Sequence, residues 1–374
     1  MANLVSSPFN RALAAAVRAN VPVVIVGEPG QAKTAKITGM AEGWGYHPEV
    51  IIGSTREATD FLGVMIENDG VVSYSSFNWV ENLNNAEKGL AVFDEFNTAG
   101  PSTMKGMLRV FQERFVGDTR LGGHVGLVAI MNPTETAVDA YDLPAAMANR
   151  MLHIDWAFDS AEWLDGVGTG FAHTVYPSMR ALLAEDPTAR KAAVAGAVTT
   201  FLRHRPELLT PPVPTDPAQA GGAWPSPRSW TNAINVLSQL EADDDEAALY
   251  VLKGLVGDGA ATQLLVWMEA NDLYNPAKVL QDPSIVDWSD TRADRLFSLV
   301  NSVTTMGLSR PEDWKKAAMV LTACASNGKP DVAMPGAQKL VNNVPADTRI
   351  PAVFKNAFME LFSHTRYGVT AAAA

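Results

Sequence analysis

Eight consecutive residues, Gly27-Glu28-Pro29-Gly30-Gln31-Ala32-Lys33-Thr34, place two glycines, a lysine and a hydroxyl at the spacing of a phosphate-binding loop. Such a loop turns its backbone N–H groups inward around an anion, and the start of the next helix adds its positive end. Lys33 then neutralises β- and γ-phosphates, and the Thr34 hydroxyl ligates Mg²⁺. The bland alternative is a glycine-containing turn beside a surface lysine. The apolar run before the loop and the helix-like Ala35–Ala41 after it favour the phosphate loop. One position departs from the usual pattern: Ala32 stands where glycine normally precedes the lysine. Its methyl group lies near the phosphates and disfavours a positive φ, so the cost is small only where the loop is already near-helical.

Further chemistry follows downstream. Leu90-Ala91-Val92-Phe93 is an apolar run that delivers Asp94-Glu95. Asp94 would hold Mg²⁺, mostly through water, and Glu95 would polarise an attacking water. An acid pair ending a strand is commonplace, but about 60 residues after a phosphate loop it becomes specific. Asn132 closes the run Val125–Met131, where an amide can orient the lytic water and touch the γ-phosphate; capping the turn at Pro133 is its ordinary use. Arg150 ends a helix-like stretch from Leu143, a place from which an arginine reaches a neighbouring subunit's site; a surface salt bridge is the alternative.

The elements that must position these residues are short and apolar. Val21–Val26, Val50–Ile52, Leu90–Phe93 and Val125–Met131 read as strands, each handing over to polar or glycine-rich residues at its carboxyl end. Alternation with amphipathic stretches implies a parallel sheet with crossover helices, whose ligands bind at that carboxyl edge. Two hairpins interrupt the plan. Val64–Glu67 and Val71–Tyr74 flank Asn68-Asp69-Gly70, and Phe115–Asp118 precedes Leu121–His124. From about residue 161 the chain reads as helical, notably over 188–203, 229–242 and 245–256, with a proline-rich loop at 205–227. The expected division is an α/β nucleotide-binding core over 1–158, a helical lid over 159–270 and a helical C-terminal region over 271–374, with residues 370–374 frayed.

A net charge of -12, spread over both halves, offers no basic face for a phosphate backbone, so nucleic acid is not the expected partner. Arg11 and Arg18 interrupt the first apolar segment, and no run is long enough to span a bilayer, so a soluble cytoplasmic protein with no membrane partner is expected. The single cysteine, Cys324, sits in an apolar run and reads as core. His47, His124, His153, His173, His204 and His364 lack metal-ligand spacing. The nine tryptophans read as packing anchors, and the acidic run from Glu241 to Glu246 as a solvated helix start. Residues 284–297 read as a helix packed on the lid, with partner docking as the alternative.

With these residues in order, the chain resembles the MoxR family of AAA+ ATPases, in the group with a helix-two insert and a pre-sensor hairpin. The stretches Arg56–Gly63, Phe93–Ala99 and Leu108–Arg114 carry the likeness, and Ser226-Pro227-Arg228-Ser229-Trp230 resembles the sensor-two entry to the lid helix. The likeness is specific over about residues 20–160 and 224–235 and fades beyond 240. It implies an α/β P-loop core followed by a helical lid. It also implies ATP held by Gly27, Glu28, Pro29, Gly30, Gln31, Ala32, Lys33, Thr34 and Ala35, with Arg228 reaching the phosphates from the lid. Mg²⁺ would rest on Thr34 and Asp94, and catalysis on Lys33, Glu95, Asn132 and Arg150. Residues 64–74 and 115–125 would face a ring pore, where such proteins engage a client. Relatives work as hexamers beside a partner with a von Willebrand factor A (VWA) domain, of which a metallopeptidase-like partner is one kind. Two other readings stand beside this one: a nucleotide-gated scaffold with negligible turnover, prompted by Ala32, and a DNA-directed motor.

Overall fold

The apolar runs of the first 160 residues become the strands of one sheet. The structure is a computed structural model and describes residues 7–137, 140–169, 176–271, 274–289 and 292–362; the expectation for residues 370–374 and the positions of His173 and His364 lie outside these. In chain order the strands are β1 (Val23–Val26), β2 (His47–Ile52), β3 (Val64–Asn68), β4 (Val71–Ser75), β5 (Gly89–Asp94), β6 (Phe115–Val116), β7 (Thr119–Arg120), β8 (Val125–Met131) and β9 (Leu152–Asp155). Five of them form a sheet in the order β2-β5-β8-β1-β9, and every pairing in it is parallel. The inner strands are continuous Val, Ile, Leu and Ala because helices cover both faces; all seven residues of β8 are buried. The α/β class with a P-loop core expected from the sequence is the architecture found.

β2 begins three residues before the apolar run that announced it. It is an edge strand, so His47, Pro48 and Glu49 need no burial, and Pro48 is tolerated there. The first hairpin forms as expected, with Met65 opposite Tyr74 and Asn68 opposite Val71. The second is shorter and shifted. Phe115–Val116 pairs with Thr119–Arg120 around Gly117, whose φ of 57° makes a two-residue turn, and 121–124 is loop rather than strand. The two hairpins are joined: the Asp118 amide donates to the Tyr74 carbonyl at 3.0 Å, and the Tyr74 amide donates to the Asp118 carboxylate at 2.7 Å.

Helices cover the sheet. α1 (Pro8–Arg18) opens with Ser7 as N-cap and Pro8 in its first turn, and buries seven residues. α2 (Lys33–Gly43) follows the phosphate loop, α3 (Asn78–Asn85) precedes β5, and α4 (Pro101–Glu113) precedes the second hairpin. Between α3, α4 and the sheet lies an aromatic cluster centred on Phe93, whose ring meets Phe61, Trp79, Phe96 and Phe111 at centroid distances of 5.0–6.2 Å. Phe93 immediately precedes Asp94, so the acid pair hangs from a fully buried point of the core.

The chain divides into two compact units: Met1–Glu185 with Leu208–Thr262, and Asp186–Glu207 with Gln263–Ala374. Residues 206–226 make only short turns at Pro206–Leu208 and Pro217–Ala220, as seven prolines in 206–227 require. α5 (Pro227–Leu237) then starts on a capping box between Ser226 and Ser229 and ends five residues earlier than the alanine- and leucine-rich pattern suggested. The acidic run after it is not all solvated: Asp244 is 11% exposed and holds Arg11 of α1 through bonds of 2.6 and 2.8 Å. Helix Asp245–Asn271 runs far past residue 256, with a break at Gly257 (φ 77°). In the second unit, Cys324, Trp314, Phe354 and Phe358 are among the buried core residues. Residues 284–297 do not form one helix: a short turn ends at Ile285, and a helix begins at Ala293. Among the described residues no helix is long and apolar enough to cross a membrane.

Candidate functional site

Because the sheet is parallel, the polar residues that follow its strands gather on one edge. β1 ends at Val26, and the loop begins at Gly27, whose amide donates to the Met131 carbonyl at 3.2 Å. A side chain at 27 is impossible without rearrangement, since a Cβ there would lie 2.3 Å from Cβ of Trp156. Gly30 takes φ +79° and makes the turn. Ala32 is left-handed, at φ 54° and ψ 27°, and caps α2 without a side-chain bond. The near-helical loop that would have made alanine cheap is therefore not what forms, and a strain of about 1–2 kcal/mol is stored there.

Lys33 is the first residue of α2 and only 7% exposed. Its ammonium donates to the carbonyls of Gly27 (2.6 Å) and Glu28 (2.8 Å) and to Oδ1 of Asn132 (3.0 Å). Burial pushes its pKa down, while Asp94 and Glu28 oppose that. The next residue, Thr34, donates its hydroxyl to Asp94 at 2.5 Å. The other Asp94 oxygen accepts from the Glu95 amide at 2.9 Å. Glu95 breaks from the strand into a left-handed conformation (φ 51°), which turns its side chain away from the alternation of β5. Loop, acid pair and polar residue thus lie together at one edge of the sheet.

Four contributors were not singled out from the sequence. Ser54, just beyond β2, donates a short hydrogen bond to the Glu95 carboxylate. Asn97, fully buried, grips Asn132 by both backbone groups: its amide donates to the Asn132 carbonyl (2.8 Å), and its oxygen accepts from the Asn132 amide (3.3 Å). Thr136 donates to the Glu28 carboxylate at 2.9 Å, tying the loop after β8 to the phosphate loop. Trp156 follows β9, donates its backbone amide to the Val26 carbonyl, and stacks edge-on against Phe9. The signal available for Ser54 was its position at the carboxyl edge; for Asn97 and Thr136 there was none beyond polarity.

A cavity of about 790 Å³ opens beside the loop. Its walls include Ala32, Ala35, Gly39, Trp156, Trp163 and Tyr176, and the Lys36–Glu162 ion pair (2.5 Å) borders it. The expectation for the tryptophans holds for the buried ones and is incomplete for two others. Trp230 and Trp314 are buried anchors, whereas Trp156 and Trp163 line a ligand-sized space of the kind in which planar groups stack.

Arg150 and Arg228 belong to the same unit, on segments tied to each other by hydrogen bonds. The Asn149 amide donates to the Trp224 carbonyl (3.0 Å), Ser226 donates to Oδ1 of Asn149 (2.6 Å), and Asn232 donates to the Arg150 carbonyl (3.3 Å). Burial and the nearby Arg228 charge push the Arg150 pKa down. These bonds join the segment of Arg150 to the start of α5, which carries Arg228.

No protein-family model matches the chain, and no curated protein does. Among solved structures, one similar chain is a "putative ATPase" from Cytophaga hutchinsonii, at 18% sequence identity and a TM-score of 0.43, over 69% of this chain and 87% of that one.

Proposed function

We propose that the chain is a MoxR-like AAA+ ATPase that binds Mg-ATP on the loop 27–34 and hydrolyses it in an oligomeric ring, a hexamer by resemblance, to remodel or activate a protein client. The observation that carries this reading is the convergence of Lys33, Thr34, Asp94, Glu95 and Asn132 on one sheet edge. The Thr34 hydroxyl and Asp94 carboxylate, hydrogen-bonded to each other here, are hard oxygen donors of the kind that would hold a magnesium ion, which takes few protein oxygens and keeps several waters. Bound there, Mg²⁺ would supply charge neutralisation between β- and γ-phosphates.

The chain's own residues do the rest. Lys33 exchanges carbonyl partners for phosphate oxygens, and the backbone amides after Gly30 surround the anion. Ala35 leads from the loop into the aromatic cavity, which accepts the nucleoside end. Glu95, released from Ser54, takes a proton from the attacking water, and Asn132 orients that water. Client engagement is supported by the β3–β4 hairpin, where Val64, Met65, Ile66, Val71, Val72 and Tyr74 are all exposed. A VWA-domain partner, metallopeptidase-like among the possibilities, and a cytoplasmic setting complete the proposal on resemblance alone.

Lys33→Ala is expected to lose Mg-ATP binding, and Glu95→Gln to bind Mg-ATP while turnover stops. Calorimetric titration and steady-state phosphate release measure the two. Full hydrolysis by Glu95→Gln would remove Glu95 from the mechanism. The strain at Ala32 favours one second reading, a nucleotide-gated scaffold; release that depends on Lys33 rejects it, with or without added protein. Stimulation by DNA at moderate salt would instead favour a DNA-directed motor, against which the net charge of -12 argues.

A further inference from the structure

The acidity of the chain is confined to its first unit. The two segments of the second unit hold 15 Lys+Arg against 13 Asp+Glu, which leaves 14 against 28 in the first. Within the second unit, three cations border one cavity of about 660 Å³, whose walls include Lys315, Thr348, Arg349, Ile350, Pro351 and Lys355. No Asp or Glu is among its lining residues.

Each of these cations is the chain neighbour of a core anchor, and the anchors explain why the three converge. Lys315 follows Trp314, Arg349 precedes Ile350, and Lys355 follows Phe354; all three anchors belong to one hydrophobic cluster. Trp314 donates its indole N–H to the Leu340 carbonyl at 3.1 Å, and its ring meets that of Phe354 at 5.9 Å. That contact sets the start of the helix Trp314–Ser326 against the short helix Ala352–Ala357. The Thr348 amide donates to the Pro345 carbonyl at 3.3 Å, which holds the intervening loop. Lys315 and Arg349 are exposed and Lys355 is half-buried, so packing of the anchors, not the charges themselves, sets where they stand.

Nearby carboxylates do not neutralise them. Asp313, 10% exposed, holds Lys316 at 2.8 Å, and Asp186 holds Arg310 at 2.6 Å. Among the described residues, Lys315, Arg349 and Lys355 make no ion pair and no side-chain hydrogen bond. Three like charges around one space repel, and an anion of more than one charge placed among them turns repulsion into attraction. A phosphate monoester carries about −1.5 to −2 at neutral pH and three acceptor oxygens, where a carboxylate carries a single charge. The planar fork of Arg349 can take two phosphate oxygens, the lysines act as point charges, and the Thr348 hydroxyl is a further donor. The volume lies within the roughly 300–1,000 Å³ of small-molecule sites, and Ile350 and Pro351 offer an apolar wall for the organic part of the ligand.

We propose that Lys315, Arg349 and Lys355 form a second anion site, which binds the phosphate group of a small organic phosphate monoester. The site shares no residue with the Mg-ATP reading and stands without it.

Calorimetric titration of the full-length Lys33→Ala protein with phenyl phosphate tests the site apart from the phosphate loop. One equivalent should bind, as it should to the wild type. Arg349→Gln, made in the Lys33→Ala protein, should weaken binding by about tenfold or more, and Lys315→Gln and Lys355→Gln should each weaken it several-fold. Benzoate, which keeps the ring and replaces the phosphate by a carboxylate, should bind at least about tenfold more weakly. No binding at millimolar phenyl phosphate overturns the proposal, as does binding that the three glutamine variants leave unchanged. Binding by the wild type that Lys33→Ala abolishes places the anion on the phosphate loop and overturns it too. Equal affinity for benzoate or for inorganic phosphate removes the assignment to a phosphate monoester. Displacement of phenyl phosphate by a lower concentration of single-stranded oligothymidylate identifies a nucleic-acid surface instead and also overturns it. The three side chains lie outside the core, and thermal melting checks that each variant folds; should one fail, Lys315→Met, Arg349→Met or Lys355→Met, which keep an unbranched stem without its charge, replaces it.

Discussion

Ala32 concentrates the tension at the residue scale. A residue with a Cβ at φ 54° gains about 1 kcal/mol when replaced by glycine, after glycine's greater freedom in the unfolded chain offsets part of the relief. Ala32→Gly is therefore expected to raise Tm by roughly 2–4 °C for a unit of this size. A lower Tm in differential scanning calorimetry would mean that the alanine methyl group contributes packing that outweighs the strain. The identities of Lys33, Thr34, Asp94, Glu95 and Asn132 were all legible in the sequence, because each follows an apolar run at fixed chain spacing. Ser54 and Asn97 were not, because their importance lies in hydrogen bonds that cross between strands. The link from Ser54 to Glu95 is expected to restrain the carboxylate. Ser54→Ala should leave Mg-ATP affinity unchanged and alter kcat, measured as single-turnover phosphate release; a change in affinity alone would contradict that role.

Elements were readable where burial was two-sided and less so where it was not. β8 matched its apolar run residue for residue, since every position faces a helix. The edge strand β2 extended beyond its apolar run, and the second hairpin moved by several residues because Gly117 set a tighter turn than the polar composition suggested. β9 adds a pH dependence. His153 is buried and accepts no charge readily: burial pushes its pKa below 6.5, although the Ala148 carbonyl contact and Asp155 oppose this. In the folded state the ring stays neutral while in the unfolded state it protonates, so its contribution is intact above about pH 6.5 and is lost as the pH falls below that. His153→Gln should flatten the dependence of Tm on pH below about 6.5; an unchanged slope would place the acid sensitivity elsewhere.

The whole molecule holds two packed units, and Cys324 reports on the second. Burial pushes its thiol up to about 11, so the thiolate that reacts with alkylating agents is scarce at neutral pH. Labelling with iodoacetamide at pH 8 should therefore proceed only as fast as the second unit opens, and Lys33→Ala should not change that rate. Rapid labelling of the native protein would show that the core around Trp314 opens locally. At this scale the sequence conveyed the switch from sheet to helix near residue 160. It did not convey that residues 187–204 pack with helices beyond residue 263, because helical periodicity says which face is buried and not against what.

Asn97 has one further consequence. By holding both the amide and the carbonyl of Asn132, it restrains that residue's backbone, so that the carboxamide, held by Lys33 alone, is the part able to turn. If the proposed Mg-ATP reading holds, loss of the γ-phosphate would be sensed as a side-chain rotation of Asn132 on a fixed pivot, a change on the nanosecond scale.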